Sequence, residues 1–371
     1  MDHYKRLAIA IALSDLRYVA GSVLQSEGGP KSWPFVQWAT VVGYEATKHL
    51  GDVHDVRLAL DWEEDFAAAA RHGSKFFDGG PTQLDRVVMD FSLLAAATHL
   101  SFFPLNRRGG PIFDFLRDDL SVVADGDEVL LTNVTGHFMV GLPPERAAKL
   151  DAIGDHVRRL TTGLGQLTSM FTGASVDEIR QHGNADMVQL IAWDGKIERA
   201  LPAAFGGELA RGLAFAVISI LSSVQGARRW GRAGCCASCA AAALKHRFVV
   251  AHHAAKSIAA LADRDDLGPV AREQLTNLSR RDDALVLSSY PYRRLRNGWL
   301  HLGLGDVAAE ISDSSDLLAP VRVYAATAPA TLGATVDRYL GELATGLNGW
   351  LLTSAHNGRG LFRHLHRPAP D

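Results

Sequence analysis

The most constraining feature of the sequence is the spacing of its apolar residues at alternating steps of three and four. The clearest case is a run of seven side chains: Leu150, Ile153, Val157, Leu160, Leu164, Leu167 and Phe171. An α-helix presents such positions on one face. The run therefore predicts a helix that packs along one side, either as a seam inside a helical bundle or as a seam between two copies of the chain.

Similar spacing recurs along most of the chain. Further helices are predicted at Tyr4–Leu24, Trp33–His49, Leu58–Phe77, Thr82–Phe102, Pro111–Val123, Gly207–Arg228, Cys236–Ala262, Val270–Arg281, Tyr290–Leu304 and Leu332–Ser354. Because the later helices are long and their connections are modest, we expect a mainly α fold, a helical bundle with a minor short β-hairpin element.

Two short segments between these helices have the composition of strands. Val129–Leu131 and His137–Val140 are predicted to pair about a turn, and Val188–Trp193 is a candidate lone strand. A soft domain boundary is placed after the hairpin. It separates an N-terminal helical region of unknown role, residues 1–142, from a helical bundle, residues 143–371.

Composition and charge limit the classes of function. Hydrophobic residues make up 47% of the 371 residues and charged residues 21%, the balance of a globular protein rather than a disordered one. The formal net charge of −3 excludes a uniformly basic surface. Contact with a nucleic acid would therefore come from a local patch.

The sequence predicts neither an export signal nor a membrane span. Residues 212–227 form a long apolar stretch without charge, but its 16 residues fall short of the roughly 20 that cross a bilayer. Asp15 and Arg17 interrupt the apolar start of the chain. All three cysteines lie within Cys235–Cys239, which fits a reducing compartment. We therefore expect a cytoplasmic protein with no membrane partner.

The chemically specific segment spans residues 290–303. On a helix, Arg293, Asn297 and His301 are four residues apart and drift by only about 40° per step, so they form one polar stripe. Arg294, seven residues before His301, joins the same face. If the apolar face of the helix packs against the protein, the guanidinium, amide and imidazole groups of this stripe face a groove in which they can bind phosphate.

This segment resembles the signature of the HEPN superfamily, the helical-bundle domains found in many toxin, anti-phage and RNA-processing proteins. That signature is Arg-x4–6-His, often with Asn directly after the Arg. Arg296, Asn297 and His301 fit it with four intervening residues, and Arg294 with His301 fits it with six. Asn297 favours Arg296 as the motif arginine. The resemblance covers about residues 206–356, and Gly298 and Leu302 depart from the usual pattern.

The resemblance implies an endoribonuclease that uses no metal or other cofactor, acts on RNA as a homodimer and serves in cellular defence or beside an antitoxin or regulatory protein. His301 would act as general acid or base, because an imidazole titrates near pH ~6.5. Arg296 would bind a phosphate oxygen, and Asn297 would orient the imidazole or the phosphate. Arg293 and Arg294 would contact the RNA backbone. The alternative is a non-catalytic helical interaction or regulatory protein.

A second group of residues lies on the predicted helix Cys236–Ala262 and just before it. Cys235, Cys239 and His246 are candidate zinc ligands by residue type, although four tetrahedral ligands would need a second segment. The alternative is small cysteines packed in the core. In a HEPN-like bundle this helix would neighbour the motif helix. His253 and Lys256 are therefore candidates to line the site, with an ordinary core or surface histidine as the alternative.

Overall fold

The computed structural model describes residues 2–25, 33–54, 81–97, 118–139, 162–181, 191–230, 237–352 and 361–366. Within these ranges the protein is mainly helical with one small antiparallel sheet, which confirms the predicted fold class. The helices before residue 207 are α1 (His3–Gln25), α2 (Trp33–His54), α3 (Pro81–Ala97), α4 (Asn133–Met139), α5 (162–172), α6 (Val176–Arg180) and α7 (Ile197–Phe205).

The remaining helices build the part of the chain that carries the motif. They are α8 (Arg211–Trp230), α9 (Ala237–Ala262), α10 (Pro269–Ser279), α11 (Asp282–Ser288), α12 (Tyr290–Leu300), α13 (Ala319–Ala325) and α14 (Pro329–Leu352). Short 3-10 helices are formed by Gly305–Glu310 and Leu361–His364. The strands are β1 (Leu120–Asp125), β2 (Glu128–Thr132), β3 (Ile191–Gly195) and β4 (Leu365–His366), in the sheet order β2-β1-β3-β4.

The hairpin exists, but its strands are not the predicted pair. β1 pairs with β2 through a turn at Gly126, whose φ of 55° suits glycine. The predicted helix Pro111–Val123 overlaps the first strand. Its residues 111–117 lie outside the described ranges, and the helix prediction for its last residues is wrong because β1 begins at Leu120. All of β1 except its last residue is buried, and the period of a short, fully buried strand cannot be told from that of a buried helix.

The predicted second strand, His137–Val140, is also wrong. His137–Met139 belongs to α4, which follows β2 directly, while Val140 lies outside the described residues. The hydroxyl of Thr132 accepts the backbone N–H of Thr135 at 3.0 Å. This bond caps the start of α4 and ends the strand at the same residue.

Most predicted helices are confirmed with small shifts at their ends. The motif helix is the exception that bears on the site, because α12 stops at Leu300 rather than at Leu304. Helix Leu58–Phe77 and the first half of the 150–171 run lie outside the described residues, while residues 162–171 are helical. The candidate lone strand Val188–Trp193 appears in part as β3, which pairs with β1 and β4.

The core is organised around α8, which contains the uncharged stretch 212–227. Nearly all of its side chains are buried, and it packs against α3, α9, α14 and β2. A helix that is apolar on every side is stable only in such surroundings. Apolar side chains from both sides of residue 142 belong to one continuous cluster. The division into two regions at that residue remains a sequence prediction.

The first helix is fastened to this core by polar contacts as well as by apolar ones. α1 packs on α2 and α9, and the carboxylate of Asp15 forms a buried ion pair with Lys245 of α9. Burial raises the pKa of Asp15, and the neighbouring Lys245 opposes that shift. The hydroxyl of Tyr18 donates to the carbonyl of Trp230 at the end of α8.

Of the described helices, α1 is long and apolar enough to cross a membrane by length and composition. In the stretch that passes this test, 72% of the residues are buried inside the protein. The core helix of a folded domain has the same properties.

The Asp15–Lys245 pair yields a stability prediction. Asp15→Ala should lower the free energy of unfolding by about 3–5 kcal/mol, because it leaves the Lys245 ammonium buried without its partner. Replacing both residues by Leu and Met should cost less than the single change. Denaturant unfolding measures these differences. Asp85→Ala is the control, because Arg264 keeps Asp266 and an exposed pair contributes at most about 1 kcal/mol. Equal effects of the two single variants would contradict the interpretation.

Candidate functional site

The motif helix α12 ends where the site begins. Pro291 stands in its first turn, and His301 is its C-terminal cap, with the His301 N–H donating to the Asn297 carbonyl at 3.1 Å. The next residue, Leu302, has a φ of 58°, a left-handed conformation that turns the chain away from the helix axis. His301 therefore lies at a helix end rather than within a continuing helical stripe.

Arg296 is the buried member of the motif. Only 4% of this residue is exposed, although a guanidinium remains charged at any ordinary pH. Its Nε donates to Nε2 of His253 on α9 at 3.0 Å, and its Nη1 donates to Oδ1 of Asn297 at 2.8 Å. These contacts hold the guanidinium plane in one orientation between α9 and α12.

His301 lies beside this guanidinium and is open to solvent. Its Nε2 is 3.4 Å from Nη1 of Arg296, and its Nδ1 is 2.9 Å from Oε1 of Glu45 on α2. The His301 side chain is 44% exposed and the Glu45 side chain 14%. One phosphate group is large enough to contact both the Arg296 guanidinium and Nε2 of His301.

His253 is a neutral partner of Arg296. Burial lowers the pKa of His253 well below its ordinary value, and the charge of the neighbouring Arg296 lowers it further, with contributions from His252, Lys256 and His301. A neutral imidazole offers one nitrogen as an acceptor. Because Nε2 accepts the Arg296 N–H, the His253 proton lies on Nδ1.

The predicted backbone-contact residues differ in their surroundings. Arg293 is exposed, and its side chain forms no ion pair with any other residue that the structure describes. Nη2 of Arg294 instead donates to Asp306 at 2.9 Å, and its guanidinium lies over the ring of Tyr324. The Arg294 charge is thus already matched by a carboxylate, and the geometry favours Arg296 over Arg294 as the motif arginine.

Lys256 lies one helical turn beyond His253 on α9, partly buried. Its charge contributes to the lowered pKa of His253, so it lies within electrostatic range of the Arg296 cluster. The structure therefore brings Arg296, Asn297, His301 and His253 into direct contact, with Lys256 nearby. Arg293 lies on the exposed face of α12, and Arg294 forms an ion pair with Asp306.

Gly298 has a packing role that explains its place in the motif. A Cβ atom at residue 298 would lie 2.5 Å from the ring of Tyr324, a distance that packed atoms cannot adopt. The Tyr324 hydroxyl donates to Asp306, which holds the ring in place. Glycine weakens the helix by about 1 kcal/mol, and here it allows α13 to approach α12.

Glu45 was not among the sequence-predicted site residues. It lies on α2, in the N-terminal region whose role the sequence did not predict. The available signal was its position as the one charged residue between Trp33 and Thr47 in an otherwise apolar helix. Its partner, however, is 256 residues away in the chain, and periodicity carries no information about such a pairing.

The candidate zinc ligands do not assemble into a site within the described residues. Cys239 is a buried free cysteine, and the His246 ring stacks on Trp38 at a centroid distance of 4.6 Å. Burial lowers the pKa of His246 to about 3, with a smaller contribution from Arg247. Cys235 lies outside the described ranges, and within them no three His, Cys, Asp or Glu residues are placed to share a metal ion.

The Arg296–His253 contact yields a coupling prediction. Arg296→Met and His253→Ala should each destabilise the protein, and the double variant should lose about 1.5–3 kcal/mol less than their sum, the range of a hydrogen bond to a charged group. Urea unfolding of the four proteins measures this coupling. If the loss of unfolding free energy in the double variant equals the sum of the two single losses, the contact does not stabilise the buried guanidinium.

Comparisons with protein-family models, with curated proteins and with solved structures found no match for this chain. The resemblance to the HEPN superfamily therefore rests on the motif in α12 and on the local geometry around it. Membership in that superfamily remains a prediction.

Proposed function

We propose that the protein is a metal-independent endoribonuclease of the HEPN type. The observation that carries the proposal is the 3.4 Å approach of Nε2 of the half-exposed His301 to the buried guanidinium of Arg296. A fixed positive charge beside an accessible imidazole is what phosphodiester cleavage requires when RNA supplies its own nucleophile.

In the proposed reaction, the RNA 2′-hydroxyl attacks the adjacent phosphorus. A new bond forms between phosphorus and O2′, and the bond between phosphorus and O5′ breaks. Nε2 of His301 takes the 2′-hydroxyl proton, and a protonated acid, the same imidazole of a second copy in a dimer, gives a proton to O5′. The products are a 2′,3′-cyclic phosphate and a free 5′-hydroxyl, with no water consumed.

Arg296 would stabilise the charge that develops on the non-bridging phosphate oxygens. Its guanidinium is already held by His253 and Asn297, so little reorganisation is needed when the phosphate arrives. The exposed Arg293, on the same helix, would contribute a sequence-independent contact to the RNA backbone. Arg294 is the weaker candidate for that role because Asp306 already pairs with it.

The expected homodimer has a candidate contact surface close to the motif helix. Leu285 and Val286 on α11 and Tyr290 at the start of α12 are exposed apolar side chains, at 57%, 41% and 71% respectively. Apolar groups of this kind favour association when they adjoin one another. The cytoplasmic location and the antitoxin or regulatory partner remain predictions from the sequence.

The proposal is tested with purified protein and single-stranded RNA in the presence of EDTA. The wild-type protein should produce fragments with 2′,3′-cyclic phosphate ends. His301→Ala should lower the cleavage rate by about 10²- to 10⁴-fold, the usual contribution of a general acid or base. The melting temperature should change little, because nearly half of the His301 side chain is exposed.

His3→Ala on α1, another exposed histidine, is the matched control and should cut at the wild-type rate. Cleavage that survives in His301→Ala, or no cleavage of any RNA by the wild-type protein, would reject the nuclease. The alternative, a non-catalytic helical interaction or regulatory protein, would then take its place.

A further inference from the structure

We infer that Glu45 is a positioning residue that holds His301 with its proton on Nδ1, so that Nε2 is unprotonated and can accept the proton of the RNA nucleophile. The catalytic consequence rests on the proposed ribonuclease function, whereas the assignment of the proton rests on geometry alone. Because Glu45 belongs to α2, a helix of the N-terminal region would take part in the chemistry of the site.

Both ring nitrogens of His301 have partners that demand the same tautomer. Nδ1 lies 2.9 Å from a carboxylate oxygen of Glu45, and an ionised carboxylate only accepts hydrogen bonds. Nε2 lies 3.4 Å from Nη1 of Arg296, and a guanidinium only donates. A proton on Nε2 would point at a cation and leave the carboxylate without its donor. The neutral imidazole therefore carries its proton on Nδ1.

Glu45 is held firmly enough to act in this way. Its side chain is 14% exposed, and α2 packs against α1 and α8. Trp38, seven residues earlier on α2, stacks on His246 of α9, and His253, seven residues after His246, binds Arg296. Helices α2 and α9 are thus linked twice. Trp38 contacts His246 directly, and seven residues further along each helix Glu45 is connected to His253 through His301 and Arg296. The backbone of α2 is therefore held in place beside His301, and the Glu45 side chain is mostly buried there.

The tautomer decides whether His301 can act as a base. With its proton on Nδ1, the imidazole keeps a lone pair on Nε2, and this lone pair can accept from the 2′-hydroxyl once the RNA phosphate replaces Nε2 as the acceptor of the Arg296 N–H. After Nε2 takes that proton, the Nδ1–H of the resulting imidazolium still donates to Glu45. With the proton on Nε2, the ring would present a donor to the nucleophile and could not accept its proton. Loss of Glu45 should therefore reduce kcat and leave KM nearly unchanged, because the RNA contacts remain.

The test begins with the tautomer and needs no RNA. Nitrogen-15 NMR of histidine-labelled full-length protein at neutral pH distinguishes a protonated Nδ1 from a protonated Nε2, and His301→Ala identifies the resonances of His301 among the fifteen histidines. The wild-type protein should show a protonated Nδ1. The 2.9 Å contact with Glu45 is shorter than the 3.4 Å contact with Arg296, so Glu45→Ala should shift part of the His301 population toward a protonated Nε2 although Arg296 remains. Thermal unfolding shows whether the fold persists. Either of two results would overturn the inference: a wild-type His301 protonated on Nε2, or the same His301 tautomer in Glu45→Ala as in the wild type.

Cleavage kinetics then test the consequence. Glu45→Ala should lower kcat on the order of tenfold to a hundredfold, less than the loss of the imidazole itself. Glu45→Gln, which keeps an acceptor oxygen, should retain the Nδ1 proton and lose less. Glu273→Ala, an exposed carboxylate on α10, is the control and should leave kcat unchanged. Wild-type activity in Glu45→Ala would reject the inference and leave the nuclease standing. A wild-type protein that cuts no RNA would reject the nuclease, while the NMR result would still decide the role of Glu45.

Discussion

The charge of Arg296 cannot be removed by deprotonation, so burying it requires hydrogen-bond partners in fixed places. His253 supplies one of them from α9, and this contact links α9 to α12. Asn297 supplies another from α12 itself. The turn at Leu302 then brings His301 back toward the same guanidinium. The arrangement of the site follows from how this one cation is held in the protein interior.

The N-terminal helices contribute side chains to the surroundings of the candidate site. Asp15 joins α1 to α9 through a buried ion pair, and Glu45 brings a carboxylate from α2 to His301. An imidazole between a carboxylate and a guanidinium has only one tautomer that satisfies both neighbours. Glu45 of α2 therefore determines which ring nitrogen of His301 carries the proton.

The sequence was most informative where local rules apply. Apolar spacing located α1, α8 and α9, and the adjacent residues Arg296 and Asn297 with His301 marked the segment on which the site forms. The end of α12 was not predictable, because the stop depends on a leucine in the left-handed region, which composition does not reveal. Glu45 and the pairing of β1 with β3 depend on contacts between distant segments, which periodicity cannot specify. Gly298 looked like a weak point in the helix until the packing of Tyr324 explained it.

The central claim is that Arg296 and His301 act on one phosphate. The most direct measurement is an NMR titration with a 2′-O-methylated oligoribonucleotide, which lacks the nucleophile and so cannot be cut, observing the Nε–H of Arg296 and Nε2 of His301 together. Both signals should shift and saturate with the same Kd, and Arg296→Met should weaken binding and remove the shift at His301. Binding that leaves either group unchanged in the wild-type protein would contradict a shared phosphate site.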